Sequence, residues 1–126
     1  MKKVIQSELA PAAIGPYVQA VEVNGLVYTS GQLGIDKATG KLEEGIEKQA
    51  KQVMKNLEYV LNEAGCTFKD IVKTTIFLDN IEDFAVVNEI YGSCFEGTYP
   101  ARSAFQIGKL PLGAKVEIEA IAVMPK

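Results

Sequence analysis

Arg102 sits in the run Tyr99-Pro100-Ala101-Arg102-Ser103-Ala104-Phe105, where a proline-led loop enters a strand. Its small neighbours leave room for a planar guanidinium to fork two hydrogen bonds to a carboxylate ligand. The competing reading is a strand-end arginine paired with Glu117 or Glu119. Those two glutamates alternate along the last strand and share one face, about 7 Å apart by strand rise. Such a pair could work as acid and base across a substrate, as in inverting glycosidases, or as strand-face partners of a cation. Apolar neighbours along that strand leave at least one carboxylate in need of a dedicated partner. Arg102, expected one hairpin away, is the natural candidate. Tyr17 follows Gly15-Pro16 and offers either a hydroxyl to a ligand or a ring to the core. Gly31, after Ser30, permits close approach of a ligand to the backbone or simply begins a loop. Asn88, polar on an apolar helix face, is a buried hydrogen-bonding group or a contact aimed at a site.

Absent residues narrow the chemistry further. The chain of 126 residues has no His and no Trp, and 16 acidic against 13 basic residues give a net charge of −3 and a pI near 5.0. Without imidazole there is no Ser-His-Asp or Cys-His nucleophile and no histidine-based zinc site. The acidic balance argues against a broad nucleic-acid footprint. Cys66 and Cys94 form neither a metal set nor a disulfide framework, and read as free, partly buried thiols in a reducing compartment. The glycines at 31, 34, 40 and 45 lack the Gly-Lys-Ser/Thr of a phosphate loop. With 48% hydrophobic and 23% charged residues, the chain reads as one globular domain over residues 1–126. No apolar run approaches the ~20 residues of a membrane span. Met1 to Glu8 has no apolar stretch after its lysines, so no secretory signal is read and the cytoplasm is expected.

The elements that must carry these residues follow from period and turn chemistry. Tyr17 to Val23 and Leu26 to Ser30 read as strands around Asn24-Gly25, a pair suited to the positive φ angles of a type I′ turn. Gly31 to Gly45 reads as a loop. From Ile46 the apolar residues Ala50, Val53, Leu57, Leu61 and Ala64 recur at helical steps, with Gly65 as the stop. A β-branched strand, Asp70 to Leu78, precedes a second helix capped by Asn80, with Phe84, Val87, Asn88, Tyr91 and Phe95 inward and Gly97 at its end. Strands around Ser103 to Ile107 and Lys115 to Val123 close the chain. Two helices cover only one face of the shared sheet. One alternate set of the last strand is Val116, Ile118, Ala120 and Ala122, the other carries Ile121 and Val123 beside Glu117 and Glu119, and both sets of Ile71 to Leu78 are substantially apolar. A second face hidden in an obligate homo-oligomer is therefore expected.

Several runs, in order along nearly the whole chain, resemble the RidA (YjgF-type) family. They are Ala10-Pro11-Ala12-Ala13-Ile14-Gly15-Pro16-Tyr17-Val18-Gln19-Ala20, Thr29-Ser30-Gly31-Gln32, Asp70 to Thr75, Asp83 to Asn88, and Pro100-Ala101-Arg102-Ser103 through Gly108 and Leu110 to Val116-Glu117-Ile118. The resemblance implies a chorismate-mutase-like α+β fold, a mixed sheet with two helices on one face, assembled as a homotrimer with clefts between subunits. It implies deamination of reactive enamines and imines, 2-iminobutanoate and 2-iminopropanoate, to 2-oxo acids and ammonia. By the same resemblance Arg102 would bind the substrate carboxylate, Glu117 would hold the attacking water, and Tyr17 would complete the cleft from a neighbouring subunit. Ser30, Gly31 and Asn88 would line the pocket, and the backbone at Ala104 would contact the substrate. Many members carry Cys where this chain has Ala104, so any role for that thiol is missing. No metal or organic cofactor is implied. Imines hydrolyse unaided, so positioning is the main demand, and a carboxylate beside an arginine would stay ionised. Two other readings stand beside the deaminase: a ligand-binding regulator (of purine genes, or sensing a 2-oxo acid) and an endoribonuclease or translation inhibitor.

Overall fold

A computed structural model describes the whole chain, residues 1–126. Asn24 and Gly25 adopt φ of 52° and 80°, the left-handed pair that a type I′ turn requires. They fold β2 (Ala20–Val23) back onto β3 (Leu26–Thr29), and β1 (Lys3–Ile5) adds an antiparallel edge strand to β2. The segment Tyr17 to Gln19, expected to be strand, lies outside the ladder. Gln19 instead uses its buried amide to hold the N-terminal segment, donating to the carbonyls of Ser7 and Pro11 and accepting from the Ser7 N–H.

Residues 31–45 are more ordered than the glycine count suggests. They contain β4 (Gln32–Leu33) and a two-stranded ribbon of β5 (Ile35–Asp36) and β6 (Lys41–Leu42). Side chains from the following helix, α1 (Gly45–Glu63), secure this region: Asn56 donates to the carbonyls of Leu33 and Ile35, and Gln49 to that of Glu43. The apolar stripe of α1 is buried as its period requires, with Val53, Leu57, Val60 and Leu61 fully enclosed. Gly65, at φ 87°, ends the helix. The Cys66 N–H reaches back to the Leu61 carbonyl and the Gly65 N–H to that of Asn62, the two bonds of a Schellman stop.

After β7 (Ile71–Leu78), Asn80 does cap a helical turn, but it is a short 3₁₀ turn, Ile81–Asp83, that leads into α2 (Phe84–Gly92). The helix ends at Gly92 rather than Gly97. Phe95 lies beyond it, its ring stacked at a tilt on Tyr91 and Phe68.

The expected hairpin between the last two strands does not form. β8 (Ala101–Gln106) pairs in parallel with β7, and β7 separates it from β9 (Val116–Val123). The sheet order is β1-β2-β3-β9-β7-β8, with β4 also paired to β9. The physical reason is the crossover: α2 returns the chain to the same end of the sheet, so β8 can only lie parallel to β7. Both helices sit over one face, where Val27, Ile76, Leu78, Val116 and Ile118 are fully buried. On the opposite face Tyr28, Phe105 and Val123 remain 39%, 50% and 43% exposed. These exposed apolar residues share the uncovered side with Lys73, Thr75, Glu117 and Glu119, a mixed surface suited to association.

Candidate active site

Glu117 is placed by an irregularity in the strand opposite. Tyr28 pairs with Ile121, but Gln32 pairs with Ile118, so one extra residue is accommodated between β3 and β4. At that break the Thr29 hydroxyl accepts the hydrogen bond of the Ala120 N–H, 3.0 Å away, which keeps the ladder satisfied. Gly31 lies in the break, and the side chain of Glu117 fills the space above its Cα. A Cβ on Gly31 would stand 2.7 Å from Cδ of Glu117 and 2.9 Å from Cγ. The glycine is therefore needed for close approach, to a side chain of the same protein.

The Glu117 carboxyl takes no hydrogen bond from the chain, and the only ion pair in the molecule is Lys51–Glu47 on the surface of α1. Glu117 lines a cleft of about 830 Å³ whose walls also include Tyr17, Ser30, Gly31 and Glu119. Half-burial pushes the Glu117 carboxyl above its ordinary value, and the charge of Glu119 raises it further. Tyr17 is half exposed at the cleft wall, not a core aromatic. Its segment is tied down by Ser30, whose hydroxyl donates to the Val18 carbonyl at 2.6 Å while its N–H donates to that of Gln19. Lys37, the one cationic side chain of this cleft, is turned to the Ala10 carbonyl at 3.3 Å.

Arg102 is held elsewhere. It is level with Thr74 on β7 and with Ala120 on β9, and so shares the helix side of the sheet with them. Glu117 and Glu119 alternate to the other side, and the intervening strand sets the strand axes about 10 Å apart. The expected Arg102–Glu117 pairing is thus corrected: within one chain the two occupy opposite faces. The guanidinium instead donates from Nη1 to Asn88 Oδ1 at 2.6 Å and lies 5.1 Å from the ring centroids of both Phe84 and Tyr91. Asn88 is exposed, not a buried polar group. Ala104 lies on the same edge strand, level with Ile76.

The chain therefore carries two half-sites. One gathers Tyr17, Ser30, Gly31 and Glu117; the other gathers Arg102, Asn88 and the outer edge of β8. Gln19, Leu33, Ile35, Lys37 and Leu112 also line the cleft and were not singled out from sequence. Leu112 had a legible signal in Pro111-Leu112-Gly113, a turn in which it takes φ 60°. No three of the Cys, Asp and Glu side chains come together as a metal-ligand set.

These features define a class: an α+β protein with one helix-covered sheet face and an open, carboxylate-bearing cleft sized for a small molecule. The family model described as Endoribonuclease L-PSP matches residues 7–124. The chain is 52% identical over 124 residues to the 2-iminobutanoate/2-iminopropanoate deaminase of Mus musculus, covering 98% of this chain and 92% of that protein. Its fold superimposes with a TM-score of 0.96 on the crystal structure of a putative endoribonuclease L-PSP from Entamoeba histolytica, 50% identical, covering 98% of this chain and 100% of that one. RidA from an Antarctic Psychrobacter gives a TM-score of 0.94 at 45% identity, over 97% of this chain and 99% of that one. The chain belongs to the RidA family, whose family model bears the endoribonuclease description.

Proposed function

We infer that the chain is an imine deaminase acting on 2-iminobutanoate and 2-iminopropanoate. The reaction adds water across C=N and releases ammonia, leaving a 2-oxo acid; an enamine first takes a proton on carbon to become the imine. The observation that carries this reading is the unpartnered Glu117 carboxyl over Gly31, facing a cleft shared with Tyr17. Once ionised it accepts a hydrogen bond from water and directs a lone pair toward the imine carbon. Tyr17 stands ready to relay a proton to the departing nitrogen. Holding water and substrate together is worth several kcal/mol in such a reaction, and no strong nucleophile is required.

The substrate's acid group needs a cation that this cleft does not free, because Lys37 is engaged with Ala10. We propose that Arg102 of a neighbouring copy supplies it, with the site completed between subunits of a homotrimer. Support comes from the placement of Arg102 and Glu117 on opposite faces and from the exposed apolar residues of the uncovered sheet face. Asn88 and the backbone at Ala104 accompany the arginine in this arrangement, and Ser30 and Gly31 accompany the glutamate. No helix is long and apolar enough to cross a membrane. Free thiols at Cys66 and Cys94 suit a reducing compartment, and the cytoplasm is the proposed location. An RNA-cleaving role fits less well: the cleft holds two carboxylates and a single engaged lysine, which repel a phosphate backbone.

A coupled assay tests the reading. Imine is generated from threonine by a dehydratase, and 2-oxobutanoate release is followed above the spontaneous rate. Acceleration by the wild-type protein, none by Arg102→Ala and a small residual acceleration by Glu117→Ala is expected. Equal acceleration by all three would overturn it.

A further inference from the structure

Arg102 stands on an exposed edge strand, where a long side chain ordinarily samples many rotamers. Here it rests against two rings and one amide. Phe84, Asn88 and Tyr91 are spaced i, i+4, i+7, so a single stripe of α2 supplies the whole cradle. Asn88 engages Nη1, and no other group of the chain bonds the guanidinium, which leaves its Nη2 and Nε hydrogens for a forked acid group.

Apart from the Arg102–Asn88 contact itself, one side-chain hydrogen bond fastens the stripe to the sheet. Tyr91 OH and Thr74 Oγ1 lie 2.7 Å apart, with Thr74 1% and Tyr91 3% exposed. Thr74 is the register partner of Arg102 in the parallel β7–β8 pair. The strand position beside the arginine therefore holds the ring on which its guanidinium lies. A phenylalanine would offer the same ring to the cation, so what the Tyr91 hydroxyl adds is the fastening. Each hydroxyl is the other's only side-chain partner in a dry environment.

We propose that Tyr91 and Thr74 are positioning residues: their hydroxyl pair locks the aromatic support that aims the free edge of Arg102 at the substrate carboxylate. This deepens the deaminase reading and rests on it.

The variants Tyr91→Phe, Thr74→Val, the double variant and Thr74→Ser test it, measured well below their unfolding midpoints. Loosening the grip weakens ground state and transition state alike, which raises KM and leaves kcat in place. Each single variant is expected to raise KM and the calorimetric Kd for 2-oxobutanoate about 5-fold or more, with kcat within about 2-fold of wild type. The double variant should be no worse than the poorer single one, because the pair acts as a unit. Thr74→Ser keeps the hydroxyl and should retain wild-type KM. A merely structural pair gives lower unfolding midpoints with unchanged KM and Kd, and that result overturns the proposal alone. Wild-type protein that fails to accelerate deamination overturns the deaminase reading instead. The 2-oxobutanoate arm then decides the positioning role: Arg102-dependent binding weakened by Tyr91→Phe supports it, and absence of binding overturns both.

Discussion

Replacing Gly31 by alanine isolates the role of Glu117 without touching its charge. The backbone at Gly31 lies outside the left-handed region, so alanine introduces no torsional strain there. The added methyl carbon would sit 2.7 Å from Cδ of Glu117, against about 3.5 Å or more for a relaxed carbon–carbon contact. The carboxyl must retreat by about 1 Å. Because the displaced atoms end a flexible, half-buried side chain, stability should fall by only about 1 kcal/mol. A 1 Å misplacement of a reacting group can cost on the order of 100-fold, so kcat/KM above the spontaneous rate should drop about 30- to 100-fold, or roughly 2–3 kcal/mol of barrier. The coupled assay measures this, with thermal unfolding as the control. If the methyl acts only through the carboxylate, Glu117→Ala and the double variant Gly31→Ala/Glu117→Ala will have the same residual activity within about 2-fold. Losses that multiply in the double variant, or Gly31→Ala activity within about 3-fold of wild type, would refute this account of the glycine.

Other consequences concern charge and association. Asn88→Asp places an anion 2.6 Å from Arg102 Nη1; it should preserve or raise the unfolding midpoint yet increase KM about 10-fold or more, since a fixed carboxylate competes with the substrate's own. Glu117 must be ionised to orient water; burial together with Glu119 raises its proton affinity, and Arg102 of the neighbouring copy opposes that rise, so the acidic limb of kcat/KM reports the balance. Glu119→Gln removes one of the raising causes and should move that limb to lower pH; an unmoved limb in a pH–rate profile counts against the coupling. For stability the sign is opposite: a carboxyl whose folded proton affinity is raised favours the fold at low pH and loses that contribution as pH rises through the raised value. Phe105→Glu, on the uncovered face, should shift the sedimentation profile toward smaller species and abolish turnover; retained assembly would show that this face is not the seat of association.

Local pattern and turn chemistry made much of this protein legible in advance. Asn24-Gly25 could only be a tight reversal because two consecutive left-handed residues suit that turn, and the stripe from Ala50 to Leu61 could only be buried along one side of a helix. Gly65 was legible as a stop for the same conformational reason. The motifs around Tyr17, Arg102 and Glu117 marked the chain's family and its candidate chemistry. Periodicity was silent on the buried amides of Gln19, Gln49 and Asn56, because their worth lies in carbonyls distant along the chain. It was equally silent on β1, a three-residue edge strand with no period to read. Above all, the place of β8 depended on which strand the α2 crossover delivers it to, a non-local choice made by packing. With β7 inserted between them, Arg102 and Glu117 stand two strands apart, and the registers of β8 and β9 on β7 put them on opposite sides of the sheet, although each occupies the strand expected of it. Alternation along a strand is a property of the residues themselves; which faces end up sharing a cleft is decided only when the whole sheet is assembled.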